Sequence, residues 1–382
     1  MPYSTFGFAE EQVMVRDSVP KPCEDAYPLK EIEHSDDNCL YPEKGYRALA
    51  AAGWLAYPFS EEFGGSNASH KDLAVFLEAV SYHIIGLVSA VMTTVVYCGQ
   101  YLAYFGTEEQ KKRLLPGLIA GDIKMAIAYT EPDTGSDAVA IRTRAVPDGD
   151  DFIINSQKVY ITNAHIADCL VVTTKTDPDA GHKGLTLFLV DAKSPGITVK
   201  PMGAMGRRTS RPNEVFFDNV RVPAANVLGG VNEAWKKMMR GLNLERVMLA
   251  AVAAGQCLKI LEVAKNYTSQ RTAFGKVITE YQAVSHRLAD MRMMTESARL
   301  HTWSAAAMLD AGMDAVLQTS MAKVVATEAN VAGADLGVQV MGGAGHIDGE
   351  MSRMYRDARI TTIGGGTSEI MRNVIAHRFL RG

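Results

Sequence analysis

The chain has 382 residues, and its 39 Lys and Arg nearly balance its 43 Asp and Glu. That length exceeds a single typical hydrophobic core, so we expect two or three domains. The small net charge of −4 argues against a nucleic-acid-binding protein, whose affinity comes from neutralising phosphates. Five cysteines without metal-like spacing predict unpaired thiols in a reducing compartment and no metal site. The first residues lack the apolar core of a signal peptide, so we expect a cytoplasmic protein.

Residues 1–122 have the pattern of a helical domain. Helical periodicity covers residues 10–19, 44–52 and 72–86, and Thr107 followed by two glutamates predicts the start of a further helix. Residues 84–105 carry no charge and are long enough to cross a bilayer. A helix buried on all sides in a large protein gives the same pattern. The polar and glycine residues within this segment favour burial, so we expect no membrane association.

Short apolar or alternating runs replace the helical pattern near residue 124. They cover residues 124–130, 151–162, 169–174, 185–191, 214–218 and 220–222, which predicts a small β domain over residues 123–231. Helical periodicity returns over residues 232–266, 280–311 and 315–340, and a last helix runs to residue 379. The prediction is an α+β fold: an N-terminal helical domain, a middle β domain, and a four-helix-bundle-like C-terminal domain over residues 232–382.

Two glycine-dense loops lie near the end of the chain. The first contains Gly342, Gly343 and Gly345, and the second, residues 364–366, leads into a helix that Thr367 or Ser368 would cap. Glycine lets the backbone come close to a ligand, and free N–H groups at a helix start attract anionic or polar groups. On glycine content alone, two ordinary inter-helix loops are the favoured interpretation.

Sequence motifs around these loops resemble the C-terminal signature of the acyl-CoA dehydrogenases, flavoproteins that desaturate acyl thioesters. They are QVMGGAGH (339–346), YRDARI (355–360) and GGGTSEI (364–370). The segments YTEPDTGSD (129–137), YITN (160–163) and QRTAFGK (270–276) resemble further motifs of that family, and the resemblance covers nearly the whole chain. It implies FAD as cofactor, an acyl-CoA substrate, electron-transfer flavoprotein as electron acceptor and a homotetramer.

The resemblance also implies the residues of the cofactor site. It assigns FAD binding to Tyr129, Thr130, Ser136, Tyr160, Thr162, Arg271, Phe274, Gln282, Gln339, Gly342, Gly343, Thr367 and Glu369. Gln339 and Gly343 would reach the FAD of a neighbouring subunit. Substrate binding is assigned to Ser136, Asn243, Arg246 and Gly366. An arginine suits a pyrophosphate because its fork of donors is rigid and its charge permanent. Tyr160 is a departure, since tryptophan is commoner there in the family.

The catalytic base is not at its commonest position. Desaturation needs a carboxylate of raised pKa to remove an α proton, and donors for the thioester oxygen. Many relatives place a glutamate where this chain has Gly365, whose backbone N–H would still hold the oxygen. Glu245 matches a second location, that of isovaleryl-CoA and long-chain acyl-CoA dehydrogenases. It also falls on an apolar helical stripe, which comprises Trp235, Met238, Leu242, Glu245, Leu249 and Val252.

Several alternatives stay open at this point. Glu245 in a structural ion pair with an arginine is one, and a same-fold flavoprotein with oxidase, monooxygenase or desulfinase chemistry is another. A non-enzymatic helical scaffold is a third. Glycine at residue 365 suggests room near the reacting carbons, which favours a branched or bulky acyl group. Arg207, Arg208 and Arg211 could contact a phosphate of CoA or be solvated, and we favour solvated side chains.

Overall fold

The first part of the chain is helical. The computed structural model describes residues 7–381, and its first strand begins only at Met125. The helices of this part are α1 (Glu10–Ser18), α2 (Lys21–Ala26), α3 (Leu29–Asp37), α4 (Glu43–Ala51), α5 (His70–His83), α6 (Val88–Val91), α7 (Gln100–Phe105) and α8 (Glu108–Ile119). A π-helix, Met92–Gly99, joins α6 to α7. Thr107 caps α8 as predicted, because its hydroxyl accepts a hydrogen bond from the Gln110 N–H at 3.2 Å.

The middle part is a β domain with one mixed sheet. Its strands are β1 (Met125–Ala128), β2 (Arg144–Asp148), β3 (Asp151–Lys158), β4 (Cys169–Lys175), β5 (Leu185–Asp191), β6 (Ile197–Pro201), β7 (Asn213–Pro223) and β8 (Val227–Leu228). The strand order is β6-β7-β3-β2-β4-β5-β8, and β1 pairs in parallel with β4. Strands β2 and β4 meet only where Arg144 pairs with Lys175, so the sheet has two halves. Their apolar faces enclose Phe152, Leu170 and Phe188.

The last part is again helical. It contains α9 (Ala234–Thr268), the short hairpin β9 (Thr272–Ala273) and β10 (Lys276–Val277), α10 (Gln282–Asp310), α11 (Val316–Met341), α12 (Gly343–His346), α13 (Glu350–Ala358) and α14 (Ser368–Arg381). Helices α9, α10 and α11 pack against one another, and α14 packs on α11. The predicted α+β fold in three parts, with a four-helix-bundle-like last part, is confirmed.

Helix α9 lies at the centre of the fold and contacts helices of both helical parts. Ala250, Ala253 and Ala254 are fully buried, and their small side chains let α5 approach α9 closely. A Cβ on Gly255 would lie 2.3 Å from the carbonyl oxygen of Glu78, so a larger residue does not fit at this crossing. The crossing fixes α9 against the N-terminal helices, and Glu245 lies about three turns earlier on the same helix.

Two segments are long and apolar enough to span a membrane, Ile85–Phe105 and Ala234–Thr268. In their most apolar windows, 89% and 83% of the residues are buried inside the fold. Their apolar side chains therefore contact other parts of this chain, as expected for residues 84–105. Such burial on all sides is typical of core helices in large proteins.

The predicted elements agree with the structure where the apolar pattern is strong. Strand β5 has the predicted bounds, and the predicted strands 214–218 and 220–222 form one continuous strand, β7. The sequence did not predict β2 and β6. Most residues of both strands are exposed, so they lack the apolar alternation that identifies a strand. Helices α2, α3 and α13 are short and were also not predicted.

Candidate active site

The glutamate predicted as the catalytic base lies on α9, next to the second glycine loop. A Cβ at Gly365 would lie 3.3 Å from Oε1 of Glu245, so the two positions face each other. The Glu245 side chain is half-buried, and burial raises its pKa to about 7. The charge of Arg246, a hydrogen bond with Tyr97 and the charge of Lys323 oppose that rise. A carboxyl group with this pKa suits a general base at neutral pH.

A buried lysine holds the second glycine loop in place. Lys323 of α11 is fully buried, and its Nζ donates a hydrogen bond to the carbonyl oxygen of Gly366 at 2.7 Å. Burial lowers the pKa of Lys323 to about 8, although the nearby Glu245 carboxylate raises it. At the end of the loop, the Thr367 hydroxyl accepts a hydrogen bond from the Ile370 N–H at 3.2 Å and caps α14. The C-terminal end of the loop is therefore anchored beside Glu245.

Three tyrosines, two from the N-terminal helical part and one from the β domain, lie near the carboxyl group. Tyr97 lies on the π-helix, and Tyr101 lies on α7, which follows it. A Cβ on Gly241 would lie 2.2 Å from the Tyr101 hydroxyl oxygen, so this ring rests on α9 one turn before Glu245. The rings of Tyr101 and Tyr129 meet edge to face at 6.3 Å. Burial raises the pKa of all three hydroxyls, and the Glu245 charge adds to that rise. They stay protonated, and the Tyr101 hydroxyl donates a hydrogen bond to the Met238 carbonyl oxygen at 3.2 Å.

The YTEPDTGSD and YITN segments form a wall from the β domain. The Thr130 carbonyl oxygen accepts a hydrogen bond from the Val159 N–H at 3.0 Å, and this bond joins the two segments. Behind this wall, the buried Lys158 forms a salt bridge with Glu131 at 2.8 Å. The φ of Tyr160 is +60°, which is a strained backbone conformation. Its side chain is 63% exposed and presents an aromatic face to the outside. Thr162 follows two residues later and is half-buried.

Six of the remaining predicted cofactor residues line two concave sites. Thr367 and Glu369 line a cavity of about 650 Å³, together with Met205, Asp335 and Arg359. A second cavity, of about 420 Å³, brings together Arg271, Gln339, Gly342 and Gly343 with Tyr267 and Ala344. Asp335 and Gln339 lie one turn apart on α11, so the two cavities adjoin along this helix. Phe274 and Gln282 are exposed outside both linings, and the Phe274 ring is 96% exposed.

These residues fit a bound FAD. The second cavity offers a guanidinium and a glycine-rich backbone, which suit a pyrophosphate. A Cβ on Gly342 or Gly343 would meet no atom within 4 Å, so the backbone there is open to a ligand. The exposed ring of Tyr160 offers a flat apolar surface for a fused ring system.

Two of the predicted substrate residues, Asn243 and Arg246, lie beside Glu245 on α9. Nη1 of Arg246 donates a hydrogen bond to Oδ1 of Asn243 at 3.0 Å, which holds the guanidinium beside the start of the Glu245 turn. Arg246 is therefore directed at Asn243, although its charge still acts on Glu245. Ser136 is exposed on the turn of the β domain. Gly366, the fourth predicted residue, contacts Lys323 as described above.

The structure adds two residues that the sequence did not predict and corrects two interpretations. Tyr97 and Lys323 approach Glu245, and no motif singled them out. The interpretation of Arg207 as solvated is wrong, because its Nε and Nη2 are buried. Glycine at residue 365 does not open space, because a Cβ there would lie 2.3 Å from Cδ1 of Leu249.

The fold and the site together define a class of oxidoreductase, with three domains and a carboxylate next to a glycine loop. Family models described as acyl-CoA dehydrogenase N-terminal, middle and C-terminal domains match residues 9–122, 126–220 and 232–380. An acyl-CoA dehydrogenase of Bacillus subtilis is 35% identical over 98% of this chain and 99% of its own length. The chain therefore belongs to the acyl-CoA dehydrogenase family.

Solved structures agree with this assignment. A crystal structure of acyl-CoA dehydrogenase from Geobacillus kaustophilus is 34% identical, with a TM-score of 0.93 over 98% of this chain and 100% of that one. A structure described as the FAD complex of PigA is 28% identical, with a TM-score of 0.94 over the full length of both chains. The protein is an oxidoreductase acting on acyl-CoA, and its cofactor is FAD.

Proposed function

We propose that the protein desaturates an acyl-CoA thioester between its α and β carbons, with Glu245 removing the α proton. The observation that carries this proposal is a carboxyl group of pKa about 7 held next to the second glycine loop. The sequence around Glu245 resembles that of isovaleryl-CoA and long-chain acyl-CoA dehydrogenases, which supports the proposed base on α9. The Gly365 N–H would donate to the thioester oxygen and stabilise the enolate that forms there. Bound FAD supplies the hydride acceptor.

FAD would be held by the residues of the two cavities and by the wall from the β domain. Gln339 and Gly343 would contact the FAD of a neighbouring subunit, and Arg271 lines the same cavity. The complete site then requires an oligomer, which we propose to be a homotetramer. The strongly exposed apolar residues of the C-terminal part support this proposal, because such surface usually covers an interface; they include Phe274, Ile347, Phe379 and Leu380. Free cysteines support a reducing cytoplasmic location.

Electron-transfer flavoprotein is the proposed electron acceptor. Support comes from a relative described as the caffeyl-CoA reductase-Etf complex subunit CarC of Acetobacterium woodii, which is 32% identical over 98% of this chain. The identity of the acyl group is a separate question. The expectation of a branched or bulky acyl group depended on free space at residue 365, and Leu249 fills that space. Acyl specificity is instead expected from the side of the N-terminal helices, where Tyr97 faces Glu245.

An anaerobic flavin-bleaching assay tests the function. The purified holoenzyme is mixed without oxygen with a panel of acyl-CoA thioesters, and the loss of the yellow FAD absorbance is followed. We expect Glu245→Gln to slow bleaching at least a thousandfold, because the α proton has no other nearby acceptor. The matched control is Glu233→Gln, at the exposed start of the same helix. Substantial bleaching by Glu245→Gln would disprove the assigned base.

An oxidase of the same fold is the second candidate. A structure described as the prolyl acyl carrier protein oxidase AnaB is 30% identical, with a TM-score of 0.93 over 98% of this chain. Such a function would pass the electrons to oxygen instead of a protein acceptor. Rapid reoxidation of the reduced holoenzyme by dissolved oxygen would favour it, and slow reoxidation favours the dehydrogenase.

A further inference from the structure

Arg207 is a buried cation without a hydrogen-bond partner for two of its nitrogens. Nε and Nη2 are both shielded from solvent, and neither donates to any atom of the described residues 7–381. Burying a guanidinium is costly unless it is paired, so such a group in a folded protein usually meets an anion in the working complex. Burial lowers its pKa, although not enough to remove a charge whose reference pKa is so high.

The backbone around Arg207 holds this side chain in place. Its φ of +51° is left-handed, a strained conformation for a residue with a long side chain. The Arg207 N–H donates a short hydrogen bond to Oδ1 of Asp357 on α13. A Cβ on the preceding Gly206 would lie 2.4 Å from the Arg356 carbonyl oxygen, so the loop lies tightly against α13. These contacts hold the loop independently of the guanidinium.

The nearest carboxylate does not neutralise Arg207. Asp357 is buried, and its pKa is raised to about 6 by that burial, although the Arg207 N–H and the guanidinium charge lower it. Among residues 7–381, no acidic side chain forms a salt bridge with the Arg207 guanidinium. Asp357 instead uses its oxygen to hold the backbone of the loop.

Two contacts place Arg207 beside the segment that flanks Glu245. The Thr209 hydroxyl donates a hydrogen bond to the Gly86 carbonyl oxygen at 3.0 Å, just before α6. Farther along the same loop, the Arg211 carbonyl oxygen accepts a hydrogen bond from the Asn163 N–H at 3.0 Å. Nδ2 of Asn163 donates in turn to the Thr93 hydroxyl on the π-helix, also at 3.0 Å. The charges of Arg207 and Glu245 both act on the Tyr97 hydroxyl, so Tyr97 lies near the proposed base and near the buried cation.

We propose that Arg207 and Tyr97 bind a carboxylate at the far end of the acyl chain, so the preferred substrates are dicarboxylic acyl-CoA thioesters. This inference rests on the proposed desaturation at Glu245. A substrate whose reacting carbons lie at Glu245 extends past Tyr97 toward the guanidinium. A carboxylate there accepts from both unpaired nitrogens of Arg207 in the bidentate geometry that arginine favours. A terminal methyl group would leave the cation unpaired, which disfavours neutral chains.

Matched pairs of ligands test this proposal. Dicarboxylic acyl-CoAs from glutaryl to suberyl are each compared with the neutral acyl-CoA of the same carbon number, by anaerobic flavin bleaching. We expect the best dicarboxylic substrate to exceed its neutral match in kcat/KM by at least about tenfold. In Arg207→Met, with FAD content checked by absorbance, that preference should disappear, so the two kcat/KM values of each matched pair should become about equal. Arg207→Lys should restore part of the preference.

Binding of non-reactive analogues separates this inference from the desaturase function. CoA thioethers with a carboxylate or a methyl end are titrated into the holoenzyme, and the change in FAD absorbance gives Kd. A preference of about tenfold for the carboxylate that Arg207→Met abolishes supports the inference even if no thioester is desaturated. If the natural protein binds the carboxylate-ended and the methyl-ended thioethers with equal Kd values, the inference is overturned, even if desaturation is confirmed. The control is Arg221→Met, an exposed arginine paired with Asp148 and Asp151, which should leave the preference unchanged.

Discussion

Gly365 faces Glu245 across the candidate active site, and the two cannot both carry a long side chain. A Cβ at residue 365 would lie 3.3 Å from Oε1 of Glu245 and 2.3 Å from Cδ1 of Leu249. A carboxylate starting from either backbone position therefore reaches the same space. This explains how the base can move from the loop to α9 without a change in fold. It also explains why residue 365 is glycine when residue 245 is glutamate.

Gly365→Ala should therefore damage both stability and activity. The new methyl would clash with Leu249 and displace Glu245, and alanine is strained at the φ of +66° found here. We expect a loss of about 1–3 kcal/mol in the free energy of unfolding and at least a tenfold loss of kcat. Gly364→Ala is the control, because its Cβ would meet only the Ile360 carbonyl oxygen, at 3.8 Å. Denaturant unfolding and flavin bleaching measure the two effects, and equal behaviour of the variants would contradict this account.

The pH dependence of the reaction should report the Glu245 carboxyl group. Its pKa of about 7 in the free protein means that the base is largely protonated below that pH. We expect kcat/KM to fall about tenfold for each pH unit below 7 and to level off above it. Stopped-flow flavin reduction without oxygen, over about pH 5.5 to 9, gives this profile. A profile that is flat across neutral pH would contradict the assignment.

The same carboxyl group should make the protein less stable as the pH rises. Because its pKa is raised from 4.5 to about 7 by folding, the folded state binds this proton more tightly than the unfolded state. The free-energy cost of burying the ionised carboxylate is absent below pH 4.5 and fully present above about pH 7. Glu245→Gln removes that cost, so its gain in unfolding free energy should grow across this window to about 1–3 kcal/mol. Thermal unfolding of both holoproteins at several pH values tests this, and Glu233→Gln should show no such trend.

The second cavity should be needed for FAD retention. Arg271→Met removes the guanidinium from the cavity that also contains Gln339 and Gly343, and we expect FAD affinity to fall at least about tenfold. FAD absorbance after gel filtration measures retention, and the same run shows the oligomeric state. Arg292→Met serves as the control, because Arg292 is partly exposed and bridges Glu296 one turn away. Full retention of FAD by Arg271→Met would remove this residue from the site.

Much of this site could be predicted from the sequence because its parts lie in short local motifs. The helical stripe placed Glu245 on α9, and the structure shows Met238, Leu249 and Val252 of that stripe buried. What the sequence could not predict depends on contacts between distant segments. Tyr97 faces Glu245 only because residues 92–99 wind as a π-helix, which changes the direction of each side chain from that of an α-helix. Arg207 is buried by α13 and the Gly86 region, far away in sequence.

Lys323 offers the last test, because it links the glycine loop to the ionisation of Glu245. Its charge lowers the pKa of Glu245, and its Nζ holds the Gly366 carbonyl oxygen. Lys323→Met should therefore move the lower limb of the kcat/KM profile to higher pH and reduce kcat, because the loop loses its anchor. Lys323→Arg keeps the charge, so it should keep the pH profile even if kcat falls. A profile that moves equally in both variants would show that loop position, and not charge, sets the pKa of Glu245.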